Sequence, residues 1–105
     1  MVERFSIHLV SLDPTVGSEI QKTRPCIVVS PNSMNKGLNT VIIAPMTTKI
    51  RNYPFRPKID FQGKSGQVAL DQIRTIDKNR LIKELGIADT LVQENIISFL
   101  HEMFV

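Results

Sequence analysis

The apolar residues of this chain come in short runs, and almost every run ends at a proline, a glycine or a cluster of Asp, Asn and Ser. That punctuation forbids long helices over most of the length and favours short strands joined by turns. Residues 7–12 read as a first strand, closed by Asp13-Pro14-Thr15, where proline presets φ for a turn. Residues 16–23 form a polar loop. Pro25 is expected at the start of the strand 26–29, a continuous apolar run suited to burial on both faces. Residues 32–37 have room for one helical turn, and 40–44, rich in β-branched side chains, form a third strand. Residues 45–57 are expected to be a long irregular loop leading into a strand at 56–61. A turn at 62–66, short strands at 67–70 and 72–76, and a turn plus short helix at 77–85 complete the middle. Only the tail has a sustained helical period. Val92, Ile96, Phe99, Leu100 and Met103 make one face, and Thr90-Leu91-Val92-Gln93 has the form of a capping box. Five to seven short strands and one terminal helix describe a mainly β (α+β) architecture, a small and strongly curved sheet or barrel with a packed helix.

Composition removes several classes. The 105 residues make one domain, 1–105, with one core. Hydrophobic residues are 42 % and charged residues 22 %, the balance of a folded globule. No apolar run approaches the ~20 residues of a membrane-spanning helix, and Met1-Val2-Glu3-Arg4 opens no signal-peptide stretch. One cysteine cannot form an internal disulfide, so nothing argues for secretion and a cytoplasmic location is expected. Cys26 reads as a small buried hydrophobe. His8 and His101 lie at opposite ends, and no Cys/His/carboxylate spacing matches a zinc or EF-hand site. Neither a metal nor a cofactor is expected.

The charge is more informative in its layout than in its sum of +3. Residues 21–59 contain seven basic side chains (Lys22, Arg24, Lys36, Lys49, Arg51, Arg56, Lys58) and no acid. Such a stretch suits a polyanion, nucleic acid first, although a solvated surface has the same composition. Three groups within or beside it have chemical potential. Arg24 closes the polar loop just before a rigid strand, where its guanidinium can grip a phosphate or pair with a carboxylate such as Glu19. Thr47 and Thr48 beside Lys49 offer hydroxyls to a phosphate, or simply form a turn. Tyr53 and Phe55 are two of six aromatics and sit among arginines, a pattern suited to stacking unpaired bases; core packing of Phe55 is the alternative. Asp71 and Asp77 are placed to orient an arginine such as Arg74 or Arg80. There is no Walker motif, paired-carboxylate signature or Cys/His nucleophile arrangement. RNA supplies its own nucleophile, the 2′-OH, so a base, an acid and a cation suffice for its cleavage.

Five colinear blocks resemble the MazF/PemK (Kid) toxin family. They are Leu9-Val10-Ser11-Leu12-Asp13-Pro14-Thr15-Val16-Gly17-Ser18-Glu19, Arg24-Pro25 with Val28-Val29-Ser30-Pro31, Pro45-Met46-Thr47-Thr48, Tyr53-Pro54-Phe55, and 68–78 with Arg80-Leu81. The resemblance implies an SH3-like barrel with a C-terminal helix (CcdB/MazF-like) and a homodimer. It implies a toxin paired with an acidic antitoxin whose C-terminal region is partly disordered, touching DNA only through that complex. The implied activity is cleavage of single-stranded RNA at short sequences without metal, leaving a 2′,3′-cyclic phosphate and a 5′-OH. The positions matching the family's catalytic residues are Arg24, Thr47 and Glu19. The RNA-binding expectation covers Lys22, Thr48, Lys49, Arg51, Tyr53, Phe55, Arg56, Asp71 and Gln72. A CcdB-like inhibitor of a protein target, or a catalytically silent RNA binder, is the alternative. Departures from the family are Phe5-Ser6 in place of Gly-Asp or Gly-Glu, His8 in place of Trp or Tyr, and Ser18 and Ala69 where one branch has His and Arg. Asp71 of that branch is kept.

Overall fold

The structure, a computed structural model, describes residues 1–105. Its elements are β1 (Ser6–Ser11), β2 (Thr23–Val28), α1 (Asn32–Gly37), β3 (Thr40–Thr47), β4 (Lys58–Phe61), β5 (Lys64–Val68), β6 (Arg74–Asp77), β7 (Leu81–Ile87) and α2 (Thr90–Met103). Short 3-10 turns occupy Leu70–Gln72 and Lys78–Arg80. The strands pair antiparallel in the order β4-β5-β3-β2-β1-β7, with β6 also on β3. This is the expected mainly β curled sheet with a C-terminal helix.

β3 belongs to both halves of the sheet. Along one edge it pairs with β2 through Ile43, Ala44 and Pro45. Along its length it also takes β6 at Thr40 to Ile43 and β5 at Met46 and Thr47. The expected break at Pro45 is therefore absent: the strand runs on to Thr47, and the irregular loop spans only 48–57. Pro45 is tolerated because its missing N–H faces the edge on which β6 ends at Ile43 and β5 begins only at Met46, while its carbonyl accepts from Ala69 N–H. Pro25 likewise lies inside β2 and not at its start. It pairs with Leu9 of β1, beyond the point where β3 leaves the other edge.

Two further expectations are corrected. Residues 81–87 form the edge strand β7, not part of a turn and helix. Its register on β1 shifts between Ile7 and His8 and again between Leu9 and Val10, so the period-2 alternation that marks a strand is broken. The turn at 62–66 shrinks to Gln62-Gly63. Their φ values of 51° and 74° fit the two-residue hairpin turn whose twist matches the flanking strands. The strands expected at 67–70 and 72–76 are instead β5 and β6, separated by the Leu70–Gln72 turn.

Two apolar clusters hold the sheet. One contains Ile7, Ile27, Ala44, Met46, Val68 and Leu70, with Val92 and Ile96 of α2 among its members. The other contains Val10, Leu12, Cys26, Val28, Val41, Ile43 and Ile76. Each fully buried aliphatic side chain contributes about 1.5–3 kcal/mol as an upper estimate, so α2 is held mainly by Ile96 and Val92. The helix cap is Asp89 and not Thr90: its carboxylate accepts from Val92 N–H at 3.0 Å, while Gln93 donates to Ala88 O. Burial pushes the Cys26 thiol up to about 12, which makes it an inert core group.

Gly66 is where β5 meets β3. A Cβ there would sit 2.5 Å from Thr47 O, a backbone atom that cannot swing away. Gly66→Ala is expected to lower stability by about 1–3 kcal/mol, read as a reduced urea midpoint; an unchanged midpoint would contradict this packing. His8 is buried on β1, with Ser6 Oγ 2.8 Å and Glu84 Oε1 3.9 Å from Nε2. Desolvation lowers its pKa below 6.5, the opposing pull of Glu84 being weaker. The unfolded chain then takes up this proton more readily than the folded one, so stability falls as pH drops through about 6.5. Melting curves from about pH 7 to about pH 5 should show that loss in the wild type and a smaller one in His8→Gln.

Candidate active site

Arg24 and Thr47 meet where β2 and β3 part. Cys26 lies opposite Pro45 and Ile27 opposite Ala44. Carrying that register two residues further sets Arg24 level with Thr47. There, however, the β2 ladder has ended and β3 is paired only along its other edge, Thr47 with Gln67. The strands are wedged apart over a cleft of about 190 Å³ whose lining includes Arg24, Thr47, Thr48, Lys64 and Gly66.

The Arg24 guanidinium is only partly engaged. Its Nε donates to Gln21 O at 2.8 Å, which fixes the side chain, and its terminal nitrogens make no hydrogen bond within the protein. The two ion pairs of the chain, His8–Glu84 and Arg56–Asp71, leave Arg24 without a carboxylate. The Thr47 hydroxyl oxygen accepts from Lys49 N–H at 3.1 Å, so its hydrogen is free to donate into the cleft. An arginine anchored by one nitrogen, a free hydroxyl and the nearby Lys64 amount to a site that can hold an anion and stabilise charge building on it.

Glu19 lies outside this cleft. It lines a neighbouring one with Ser18, Pro45, Asp71, Gln72 and Arg74, and its Oε1 accepts from Val16 N–H at 2.6 Å. It closes its own loop and makes no ion pair with Arg24. Lys22, exposed at a φ of 72°, gives its carbonyl to Leu12 N–H.

The 48–57 loop carries the expected aromatics on the surface. Tyr53 and Phe55 are stacked with centroids 5.1 Å apart, and the Arg56 guanidinium lies 5.2 Å from the Tyr53 ring centre. Both rings are exposed, so Phe55 is not a core residue. Arg56 is committed elsewhere: Nε and Nη2 reach the two Asp71 oxygens at 2.9 Å each. That bond holds the Asp71 carboxyl below the usual carboxylate range. Asp71 thus orients Arg56 and not Arg74 or Arg80, which donate instead to carbonyls of Ser11, Leu12 and Asp13. Gln72 accepts from Ile20 N–H at 2.6 Å and donates to Ser18 O, tying down the 16–22 loop. Thr48, Lys49 and Arg51 are exposed along the rim.

Sequence reasoning missed Lys64, Gly66 and Gln67. Lys64 lies just beyond the acid-free stretch 21–59 and was legible only as charge. Gly66 and Gln67 carried no signal, because their roles depend on β5 lying against Thr47. No three His, Cys, Asp or Glu side chains gather as a metal site would need.

The model of the PemK-like, MazF-like toxin family of type II toxin-antitoxin systems matches residues 3–104. The endoribonuclease MazF of Staphylococcus saprophyticus is 33 % identical over 91 residues, covering 81 % of this chain and 76 % of that protein. The endoribonuclease PemK of Escherichia coli is 41 % identical over 81 residues, covering 72 % of this chain and 61 % of that protein. In fold, a crystal structure of MazF from Deinococcus radiodurans superposes with a TM-score of 0.86 at 24 % identity, over 97 % of this chain and 94 % of the other. A mycobacterial endoribonuclease in complex with its cognate antitoxin gives 0.82 at 22 % identity, over 97 % and 93 %. Over nearly its whole length, then, the chain is a member of the PemK-like, MazF-like toxin family of type II toxin-antitoxin systems.

Proposed function

We propose that this protein is the endoribonuclease toxin of such a system, cutting single-stranded RNA at short sequences without a metal ion. The observation that carries this reading is the pairing of a partly unengaged Arg24 guanidinium with the Thr47 hydroxyl in one cleft. The scissile phosphate would sit between them. A base takes the proton of the 2′-OH, the 2′-oxygen attacks phosphorus, and the bond from phosphorus to the 5′-oxygen breaks. The leaving oxygen takes a proton, and a 2′,3′-cyclic phosphate and a 5′-OH remain. The pentavalent intermediate carries extra negative charge, so a fixed cation and a hydroxyl donor lower the barrier more than they strengthen ground-state binding.

Arg24 holds the non-bridging oxygens and supplies charge, and Thr47 donates to one of them. Glu19 is the carboxylate assigned as base from the neighbouring cleft, where it is exposed with its Oε2 unpartnered, a role that needs the RNA to span both clefts. Lys22, Thr48, Lys49 and Arg51 track the backbone, and the Tyr53–Phe55 stack offers a face to an unpaired base. Arg56, Asp71 and Gln72 contribute by holding the two loops in place. The protein works as a homodimer in the cytoplasm. It is restrained by an antitoxin whose acidic, partly disordered tail covers the basic middle of the chain, and it meets DNA only through that complex.

Purified protein incubated with a long RNA in EDTA is expected to cut it at a few sites and leave 5′-OH ends. Arg24→Ala should lower kcat about 10²–10³-fold with a native circular-dichroism spectrum. Binding without cleavage in the wild type would overturn the enzymatic reading, and undiminished cleavage by Arg24→Ala would overturn the site.

A further inference from the structure

We propose that Gln67 is a positioning residue that sets the RNA-gripping loop against the reacting cleft, an inference that rests on the function proposed above. Gln67 is 2 % exposed, a buried polar side chain next to the C-terminal end of β5. Both ends of its carboxamide bond to one residue of the facing loop. Oε1 accepts from Arg51 N–H at 2.9 Å, and Nε2 donates to Arg51 O at 2.8 Å. The side chain therefore acts as one rung of a β-ladder, satisfying both backbone groups of a residue that belongs to no strand.

Its backbone faces the chemistry. Gln67 lies opposite Thr47 in one register and opposite Lys58 in the other. One residue thus fixes the distance between the Thr47 hydroxyl and the loop that bears Lys49, Arg51, Tyr53 and Phe55. The other anchors of that loop lie toward its ends. Thr47 Oγ1 takes Lys49 N–H, Arg56 N–H turns back to Tyr53 O, Arg56 pairs with Asp71, and Pro57 O takes Val68 N–H. Between Lys49 and Tyr53 the only hydrogen bonds to the rest of the protein are those from Gln67. Without them, the span just before the aromatic stack has nothing to hold its height above the cleft. The effect belongs in substrate binding and not in the chemical step, because Arg24 keeps its bond to Gln21 O and Thr47 keeps its ladder pairing with β5.

The chain has one tyrosine and no tryptophan, so its ultraviolet emission reports Tyr53 alone. Gln67→Met keeps the length and the packing and removes both hydrogen bonds. Acrylamide should quench Tyr53 more strongly in Gln67→Met than in the wild type, without RNA present. For cleavage of a single-site RNA oligonucleotide, KM should rise about five- to tenfold, the worth of one or two net hydrogen bonds, with kcat within about twofold. Unchanged quenching together with unchanged KM would overturn the proposal, and so would a fall in kcat at constant KM. If Gln67→Met does not fold, Arg51→Ala and Arg51→Pro replace it. Both lose the guanidinium, and only the second loses the N–H that Gln67 accepts, so a higher KM and stronger quenching in Arg51→Pro support the anchor and equality overturns it. If the wild type neither binds nor cuts RNA, the proposed function fails, and the quenching comparison alone then decides whether Gln67 anchors the loop.

Discussion

The structure depends on one strand serving two sheets. β3 is bonded along one edge to β2 as far as Pro45, and along the other edge to β6 as far as Ile43 and then to β5 from Met46 onward. Beyond Pro45 the β2 ladder has ended while β5 still holds β3, and the cleft lined by Arg24 and Thr47 opens there. That arrangement also explains the composition of the junction. Pro45 sits where the β2 ladder ends, and Gly66 sits where β5 approaches the Thr47 carbonyl too closely for any side chain. The cleft is thus a consequence of how the sheet curls, and its two functional side chains come from strand ends fixed by the ladder.

The arginines divide cleanly into those that hold the fold and those left to act. Arg4, Arg74 and Arg80 donate to backbone carbonyls, and Arg56 is locked to Asp71. Arg24 is anchored through one nitrogen, and the Arg51 side chain makes no hydrogen bond in the protein, its backbone being held by Gln67. Charge alone could not make this division, because the seven basic residues from 21 to 59 look alike in sequence. The division follows from long-range partners: backbone carbonyls take Arg4, Arg74 and Arg80, and Asp71 takes Arg56.

Much of the fold was legible because local chemistry and tertiary structure agree. The Asp13-Pro14 turn, the apolar run 26–29, the α1 turn and the periodic tail all follow from short-range signals. The misreadings arose where long-range pairing overrides them. Pro25 and Pro45 look like strand breakers, yet both fall where a neighbouring strand has left their N–H side. β7 escapes detection because its bulged register on β1 destroys alternation. Phe5 shows the same conflict. It holds a φ of 69°, a left-handed conformation uncommon for a residue with a side chain of this size. Its N–H to Val28 O, its carbonyl to Ala88 N–H and its buried ring keep it there. At the site, Arg24 and Thr47 were legible as motif residues, whereas Gln67 was silent because its partner, Arg51, is 16 residues away.

The central claim is that Arg24 and Thr47 act on one phosphate, and a double-mutant cycle on kcat tests it most directly. Cleavage of a defined oligonucleotide would be measured for the wild type, Arg24→Ala, Thr47→Val and the double variant. Groups that stabilise the same developing charge depend on each other, so the double variant should be little slower than Arg24→Ala alone. If the two losses simply multiply, the residues act independently and the shared-phosphate account is wrong.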